Sequence, residues 1–392
     1  MRGTVRASGG RERLLTPSFG LICGITAVTF FAFFLLLPAI PIYVQEITGD
    51  ESQVGLAAGI LTVSSVLTRL FTGRQIDRQG KKYFVLGGLA LCAVVTALYA
   101  VWADMLPVYL LRFLHGAGWG VTTTAAVAVV ADLAPRSRLG EAMGYYGVFS
   151  NATLSLAPFT AAWVLAGQDI SLVFLISALL SAVAAGAALF MAEPRGNFIS
   201  SSDAPRSALL SRRALFPSAV IFLLGISYAG LVTFIPLFAR DRHLGNEGLF
   251  FTVFALVMLA TRPISGGLSD RYSRGVVIVP SLAAMSLALG LLAVTWDQSL
   301  LAIAAALTGL GFGGAQPALM ALAIDRAGMH ERGAAMGTFT AAFDLGIGAG
   351  SVVLGALISS AGFGTMYTVA GLVGVVTLLA FLAPGRLPWR HA

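Results

Sequence analysis

The sequence predicts an all-α integral membrane protein, with twelve transmembrane helices in two parallel six-helix bundles and both termini cytoplasmic. Three observations predict it. Of its 392 residues, 57% are hydrophobic and only 11% charged, and the mean hydropathy is +0.86; a soluble domain carries roughly 25% charged residues. The apolar residues fall in runs of about 20, the length that crosses a hydrocarbon core about 30 Å thick. The chain also repeats itself at one constant offset of 193 positions. Its net charge of +7 (25 Lys+Arg against 18 Asp+Glu) reads as topology, because no aromatic-interleaved basic patch points to a nucleic-acid partner.

The first six spans are expected near 18–45, 54–73, 83–102, 106–131, 139–166 and 170–191. The first follows a basic head (Arg2, Arg6, Arg11, Arg13) and stays apolar to Val44. A signal peptide's apolar core runs only about 7–15 residues, so this helix is expected to be retained. Phe30, Phe31, Phe33 and Phe34, then Pro38 and Pro41, make it aromatic and bent. The other six are expected near 215–239, 248–268, 276–295, 298–324, 333–359 and 364–383. Tyr228, Phe234 and Pro236 repeat the aromatic, bent character in the seventh, and Gln316-Pro317 is expected to interrupt the tenth. Cys23 and Cys92 lie inside apolar runs, where a thiol packs as a small hydrophobe. No cysteine or histidine spacing suggests a metal site.

The polar stretch Glu193–Arg213, with Pro194, Gly196, Pro205, five Ser and four Arg, reads as a flexible linker. It divides the chain into residues 1–192, a linker 193–214 and residues 215–392. With a cytoplasmic N-terminus, twenty Lys and Arg fall in cytoplasmic loops and tails, while only Arg240 and Arg242 fall outside. That asymmetry sets the orientation. Arg69, Arg112 and Arg262 lie within helices, and Glu46, Asp50, Glu51, Asp104, Asp169 and Asp297 collect outside.

At the 193-residue offset Thr68-Arg69 falls on Thr261-Arg262, Asp77-Arg78 on Asp270-Arg271, and Lys81 on Arg274. Gly116, Gly118 and Gly120 meet Gly309, Gly311 and Gly313, Asp132 meets Asp325, and Ala142-Met143-Gly144 meets Ala335-Met336-Gly337. Six crossings per repeat leave the halves in the same orientation. Parallel repeats of this kind are a transporter architecture with the substrate between the halves.

The segment Gly73-Arg-Gln-Ile-Asp77-Arg78-Gln-Gly80-Lys81-Lys82 resembles the signature loop of the major facilitator superfamily, and Gly266-Gly-Leu-Ser-Asp270-Arg271-Tyr-Ser-Arg274 is similar to its second-half copy, with Ser273 in place of the internal glycine. The resemblance covers essentially the whole chain, and the twelve-helix proton-coupled drug and metabolite exporters look most similar. It implies that Asp77 meets the start of the eleventh helix (Arg332, Gly333) and Asp270 the start of the fifth (Arg138, Gly140), closing a cytoplasmic gate. It also implies that the second, fifth, eighth and eleventh helices line the contact between halves. Arg112 with Gly116 resembles the family's fourth-helix motif, associated with proton transfer. The fifth helix resembles the exporter motif in Gly144 and Pro158, with Thr153, Ala157, Ala161 and Ala162 at its other glycine stations.

Independently of the family, an ionisable residue inside a span is costly and marks function. Asp344 is some twelve positions into its helix, about 18 Å at 1.5 Å per residue, and can exchange protons or pair with a cation. Its repeat partner is Asn151, and the resemblance implies that it faces either the cavity or Ser64-Ser65. Arg112, with His115 one turn on, is a second candidate for coupling, or for holding a substrate carboxylate. Tyr228, Gln316 and Phe34 are candidates for the cavity wall, and Gly144 and Pro158 for interface packing.

No nucleophile–base pair, phosphate loop or metal spacing is present, so no enzyme activity and no cofactor are expected. The expected function is secondary active transport by alternating access in the cytoplasmic membrane: proton-coupled export, by antiport, of a small amphiphilic drug or metabolite. The alternatives are an importer of a sugar, organic anion or other nutrient, and a dedicated exporter of a metallophore or lysolipid. A non-transporting membrane receptor or a lipid-remodelling enzyme comes from a different class. The expected partners are a small-molecule substrate, protons and the lipid bilayer, with the chain as a monomer and no nucleic acid.

Overall fold

A computed structural model describes residues 14–102, 104–135, 138–165, 169–192, 211–245, 248–327 and 331–383. The described residues form eleven helices long and apolar enough to cross a membrane, and no strand. They are α1 (Pro17–Thr48), α2 (Glu51–Gln79), α3 (Lys81–Tyr99), α4 (Met105–Leu133), α5 (Leu139–Leu165), α6 (Ile170–Leu189), α7 (Leu215–Asp241), α8 (Gly248–Arg271), α9 (Arg274–Ala293), α10 (Gln298–Arg326) and α11 (Arg332–Leu382). Most of the expected linker, and the side chains of Gly73, Asp77, Arg78, Gly144, Asn151, Arg332 and Gly333, lie outside the described residues.

The acidic residues between spans turn out to be helix caps. Asp50 accepts a hydrogen bond from the Ser52 N–H at 2.9 Å, Asp169 from Ser171 at 2.9 Å and Asp297 from Ser299 at 2.7 Å. Each satisfies an orphan N–H and sits at the positive end of its helix. Asp104 occupies the same position before α4. The even-numbered helices α2, α4, α6 and α10 thus start at one end of the molecule, called here the acidic end.

Three differences from the sequence reading have local causes. The span α2 does not stop near residue 73 but runs to Gln79, since no residue between 73 and 79 breaks a helix. The only residue between α2 and α3 is Gly80, whose φ of 96° suits a residue without Cβ. Likewise α8 continues through Arg271, so Asp270 lies on a helix rather than past one. Pro317 does not interrupt α10, which stays helical across it; the proline deletes one hydrogen bond without ending the helix. The two last expected spans appear as the single element α11, whose 51 residues are broken at Gly362 (φ 78°, ψ 172°). That backbone region is open essentially to glycine alone.

Packing follows the repeat. In the first half α2 and α3 pack on α4, and α1 on α5 and α6; in the second, α8 and α9 pack on α10, and α7 on α11. A Cβ on Gly118 would lie 2.8 Å from Cys92 Sγ, and one on Gly311 would lie 2.9 Å from the Met285 nitrogen. Residues 92 and 285, like 118 and 311, are one offset apart. Small residues let these helix pairs approach at repeat-related points. Between the halves, α2 packs on α11, α5 on α8, and α1 on α7.

Candidate functional site: ion pairs and aromatics between two halves

Midway along α2, Arg69 Nη1 donates to Asp344 Oδ2 of α11 at 2.5 Å. The contact joins residues 275 positions apart, one in each half. Arg69 Nη2 reaches Thr123 Oγ1 of α4 at 3.4 Å, and Tyr146 of α5 lies within electrostatic range. The two side chains keep 23% and 24% of their surface exposed, so the pair is only partly enclosed by protein. The expected neighbours Ser64 and Ser65 do not hold Asp344. Ser64 donates to the Phe113 carbonyl at 2.6 Å, and the Ser65 hydroxyl is buried without a partner. Arg69 is the partner of Asp344 that the sequence reading did not single out. Its signal was present, an Arg inside a span with Arg262 as its repeat image.

Arg112 is separate. It is buried, and its Nε donates to the Ala57 carbonyl of α2 at 3.1 Å. Ala57 and Arg69 are twelve residues apart on α2, about 18 Å, so Arg112 and Asp344 do not form one site. His115 is buried edge-on to Phe33, with ring centroids 5.6 Å apart, and its Nδ1 has no partner. Around it Phe33 stacks on Trp119 at 3.9 Å, and Phe30 and Phe34 pack edge to face. The aromatics of the first span are therefore inside the first half.

The second half carries its own aromatic group. Tyr228 of α7 stacks on Phe312 of α10 at 4.1 Å with an interplanar angle of 6°, and Phe254 and Phe343 flank them. Arg262 of α8 lies within electrostatic range of Tyr228. Gln316 is half-buried on α10, and Pro158 is buried inside α5.

At the end opposite the caps, Lys81 pairs with Asp132, joining α3 to α4. The repeat image is present: Arg274 Nε donates to Asp325 Oδ2 at 2.8 Å. Arg274 Nη1 also donates to Asp270 Oδ1 at 2.5 Å, with Asp270 largely exposed. Arg271 lies over the Tyr272 ring at 5.7 Å. Arg138 pairs with Glu141 at 2.7 Å. The expected contacts of Asp77 with Arg332 and Gly333, and of Asp270 with Gly140, involve positions outside the described residues.

Polar contacts join the halves at the acidic end. Glu46 of α1 pairs with Arg240 of α7 at 3.4 Å. Ser359 of α11 donates to Asp50 at 2.6 Å and accepts from the Ser52 N–H at 3.0 Å. These hydrogen bonds hold the Asp50 carboxyl down to about 2. A Cβ on Gly355 would lie 2.7 Å from the Glu51 carbonyl, so α2 and α11 are in close contact here. The described hydrogen bonds and ion pairs between halves cluster from Arg69–Asp344 toward this end.

Comparison with known proteins points the same way. The sequence matches the model of the Major Facilitator Superfamily over residues 22–251 and 245–392. An uncharacterized MFS-type transporter of Salmonella typhimurium is 27% identical over 345 residues, covering 85% of this chain and 88% of the relative. The staphylopine export protein of Staphylococcus aureus is 23% identical over 381 residues, covering 91% and 94%. Among solved structures, the nucleoside transporter NupG superposes with a TM-score of 0.73 at 16% identity over 94% of this chain and 98% of that one. A bacterial homolog of the human lysosomal transporter Spinster, inward-facing and unoccupied, gives 0.72 at 14% identity over 95% and 96%.

Proposed function

The chain belongs to the major facilitator superfamily of secondary transporters, and from that premise we propose that it exports a small amphiphilic molecule across the cytoplasmic membrane by proton-coupled alternating access. Two six-helix bundles rock against each other about the α2–α11 and α5–α8 contacts. The arms of α11 on either side of Gly362 are two spans, which makes twelve. As one helix, 51 residues would extend about 76 Å at 1.5 Å per residue, over twice the hydrocarbon thickness. Both termini are cytoplasmic by the positive-inside asymmetry, so the acidic end is the outer gate.

The observation that carries the reading is the Arg69–Asp344 pair. It is the described ion pair that crosses between repeats at mid-depth. An intramembrane charge pair on a transport path is a natural proton-exchange site. A proton on Asp344 removes the carboxylate that Arg69 holds, and the contact between α2 and α11 loosens. Export is supported by the likeness to the staphylopine export protein and by the fifth-helix resemblance.

The test uses everted membrane vesicles energised to an inside-acid gradient, with acridine orange reporting the gradient. Ethidium and the anion p-aminohippurate are added separately. One of the two should collapse part of the gradient in wild-type vesicles and leave it intact with Asp344→Asn at equal expression. If neither probe moves protons, or the variant behaves as wild type, proton-coupled export is wrong.

A further inference from the structure

The two repeats treat their half-buried intramembrane guanidinium differently. Arg69 and Arg262 are one offset apart, on α2 and α8, and each sits on a helix that packs against the opposite half. Arg69 has the Asp344 carboxylate on α11. The position related to Asp344 on α5, the helix packed on α8, is Asn151, a neutral residue by sequence. Arg262 accordingly has no carboxylate partner among the described residues. Its Nη2 meets only Met258 Sδ at 3.8 Å, and its Nε is buried without a partner. It is nine residues from the Arg271 end of α8, about 14 Å along the helix at 1.5 Å per residue.

The charge count extends the asymmetry. Arg69, Arg112 and Arg262 lie within spans, and Asp344 is the only acid deep inside one. Asp344 is taken by Arg69, and Arg112 has a carbonyl. A cation inside a membrane protein is normally paired, because an uncompensated one is costly. Tyr228 lies within electrostatic range of Arg262 and is backed by Phe312, Phe343 and Phe254, the last on α8 itself about two turns before Arg262. A guanidinium fork suits a carboxylate or phosphate, and the aromatic wall suits an apolar body.

We propose that Arg262 is a ligand-binding residue whose counter-ion is the substrate: an amphipathic organic anion, its carboxylate or phosphate on Arg262 and its apolar body toward the Tyr228–Phe312 stack. The inference rests on the transporter reading above for the word substrate, but the binding site does not depend on proton coupling. A lipophilic cation would enter an interior already carrying excess positive charge, and is the class this site rejects.

The test is equilibrium binding to the purified full-length protein in neutral detergent, which separates it from transport. The probes are radiolabelled p-aminohippurate and phenyl phosphate, with tetraphenylphosphonium as the cationic control. At least one anion should bind saturably, and tetraphenylphosphonium should not compete. Arg262→Gln should weaken anion binding about ten- to hundredfold, the range of a charge-assisted contact, while Arg262→Lys retains most of it. Met258→Glu, one turn before Arg262 and at the sulfur its Nη2 meets, supplies the missing counter-ion and should abolish anion binding with Arg262 still present. That result also stands in for Arg262→Gln should the latter fail to fold. Absence of saturable binding by both anions, displacement by tetraphenylphosphonium, or anion binding unchanged in Met258→Glu would overturn the proposal. If the anion binds as expected but the vesicle test shows no proton movement, the coupling scheme fails and the site stands.

Discussion

At the scale of single residues, the account turns on what Arg69 and Asp344 do to each other. Removing one partner leaves the other charged and without its counter-ion. Because the pair keeps about a quarter of its surface, the cost should be of order 1–3 kcal/mol, below the figure for a fully buried pair. Asp344→Asn and Arg69→Gln should each lower the melting temperature of the purified protein. The charge exchange, Arg69→Asp with Asp344→Arg, should recover part of the loss, whereas a purely additive loss would show that the pair contributes nothing. Asp344 could be found in the sequence because an acid far inside an apolar run has no bland neighbour to hide among. Arg69 was visible as an arginine inside a span, but its pairing with Asp344 was not, since a contact between residues 275 apart leaves no local pattern. The same limit explains why Ser64 and Ser65, one turn away from Arg69, were expected instead.

At the scale of elements, helix ends were readable to within a few residues where a polar cap or a Gly punctuates the apolar run. They were misplaced where a polar segment stays helical beyond the membrane. Both the Gly73–Gln79 segment and the end of α8 are of this kind. Pro317 misled for the opposite reason, since a single proline bends more often than it ends a packed helix. Two predictions belong here. Gly362→Ala should cost about 1–3 kcal/mol, because φ 78° with ψ 172° strains any residue carrying a Cβ. Gly118→Val and Gly311→Val should destabilise by similar amounts, about 1–3 kcal/mol of overpacking each. Thermal unfolding in detergent checks all three. A marked difference between the two valine variants would mean that the repeat does not extend to the helix contacts.

At the scale of the molecule, the repeat was legible from one offset, and its consequences return as paired contacts: Lys81–Asp132 with Arg274–Asp325, and Gly118 on Cys92 with Gly311 on Met285. What the offset could not show is where the halves differ. That difference, Asp344 against Asn151, is where the chemistry lies. The hold of Asp50 on the acidic end should be insensitive to physiological acidification. With its folded value held near 2 against an ordinary 3.8, Asp50 contributes stability above 3.8 that is lost as the pH falls through about 2. Asp50→Asn should therefore weaken closure of this end without changing how closure depends on pH between about 5 and 8. A pH midpoint displaced by that substitution would assign the sensing to Asp50.

The most direct measurement is the distance across each end, read by electron–electron double resonance. Cys23 and Cys92 are buried and are first replaced. Spin labels at Leu106 and Ser360 report the acidic end, and labels at Tyr83 and Tyr272 the opposite one; all four positions are exposed. The account predicts a short acidic-end distance and a long opposite distance for the wild type at mildly alkaline pH. Either Asp344→Asn or acidification should lengthen the first and shorten the second together. Distributions that ignore both the substitution and the pH would contradict the claim that the Arg69–Asp344 pair sets which end is open.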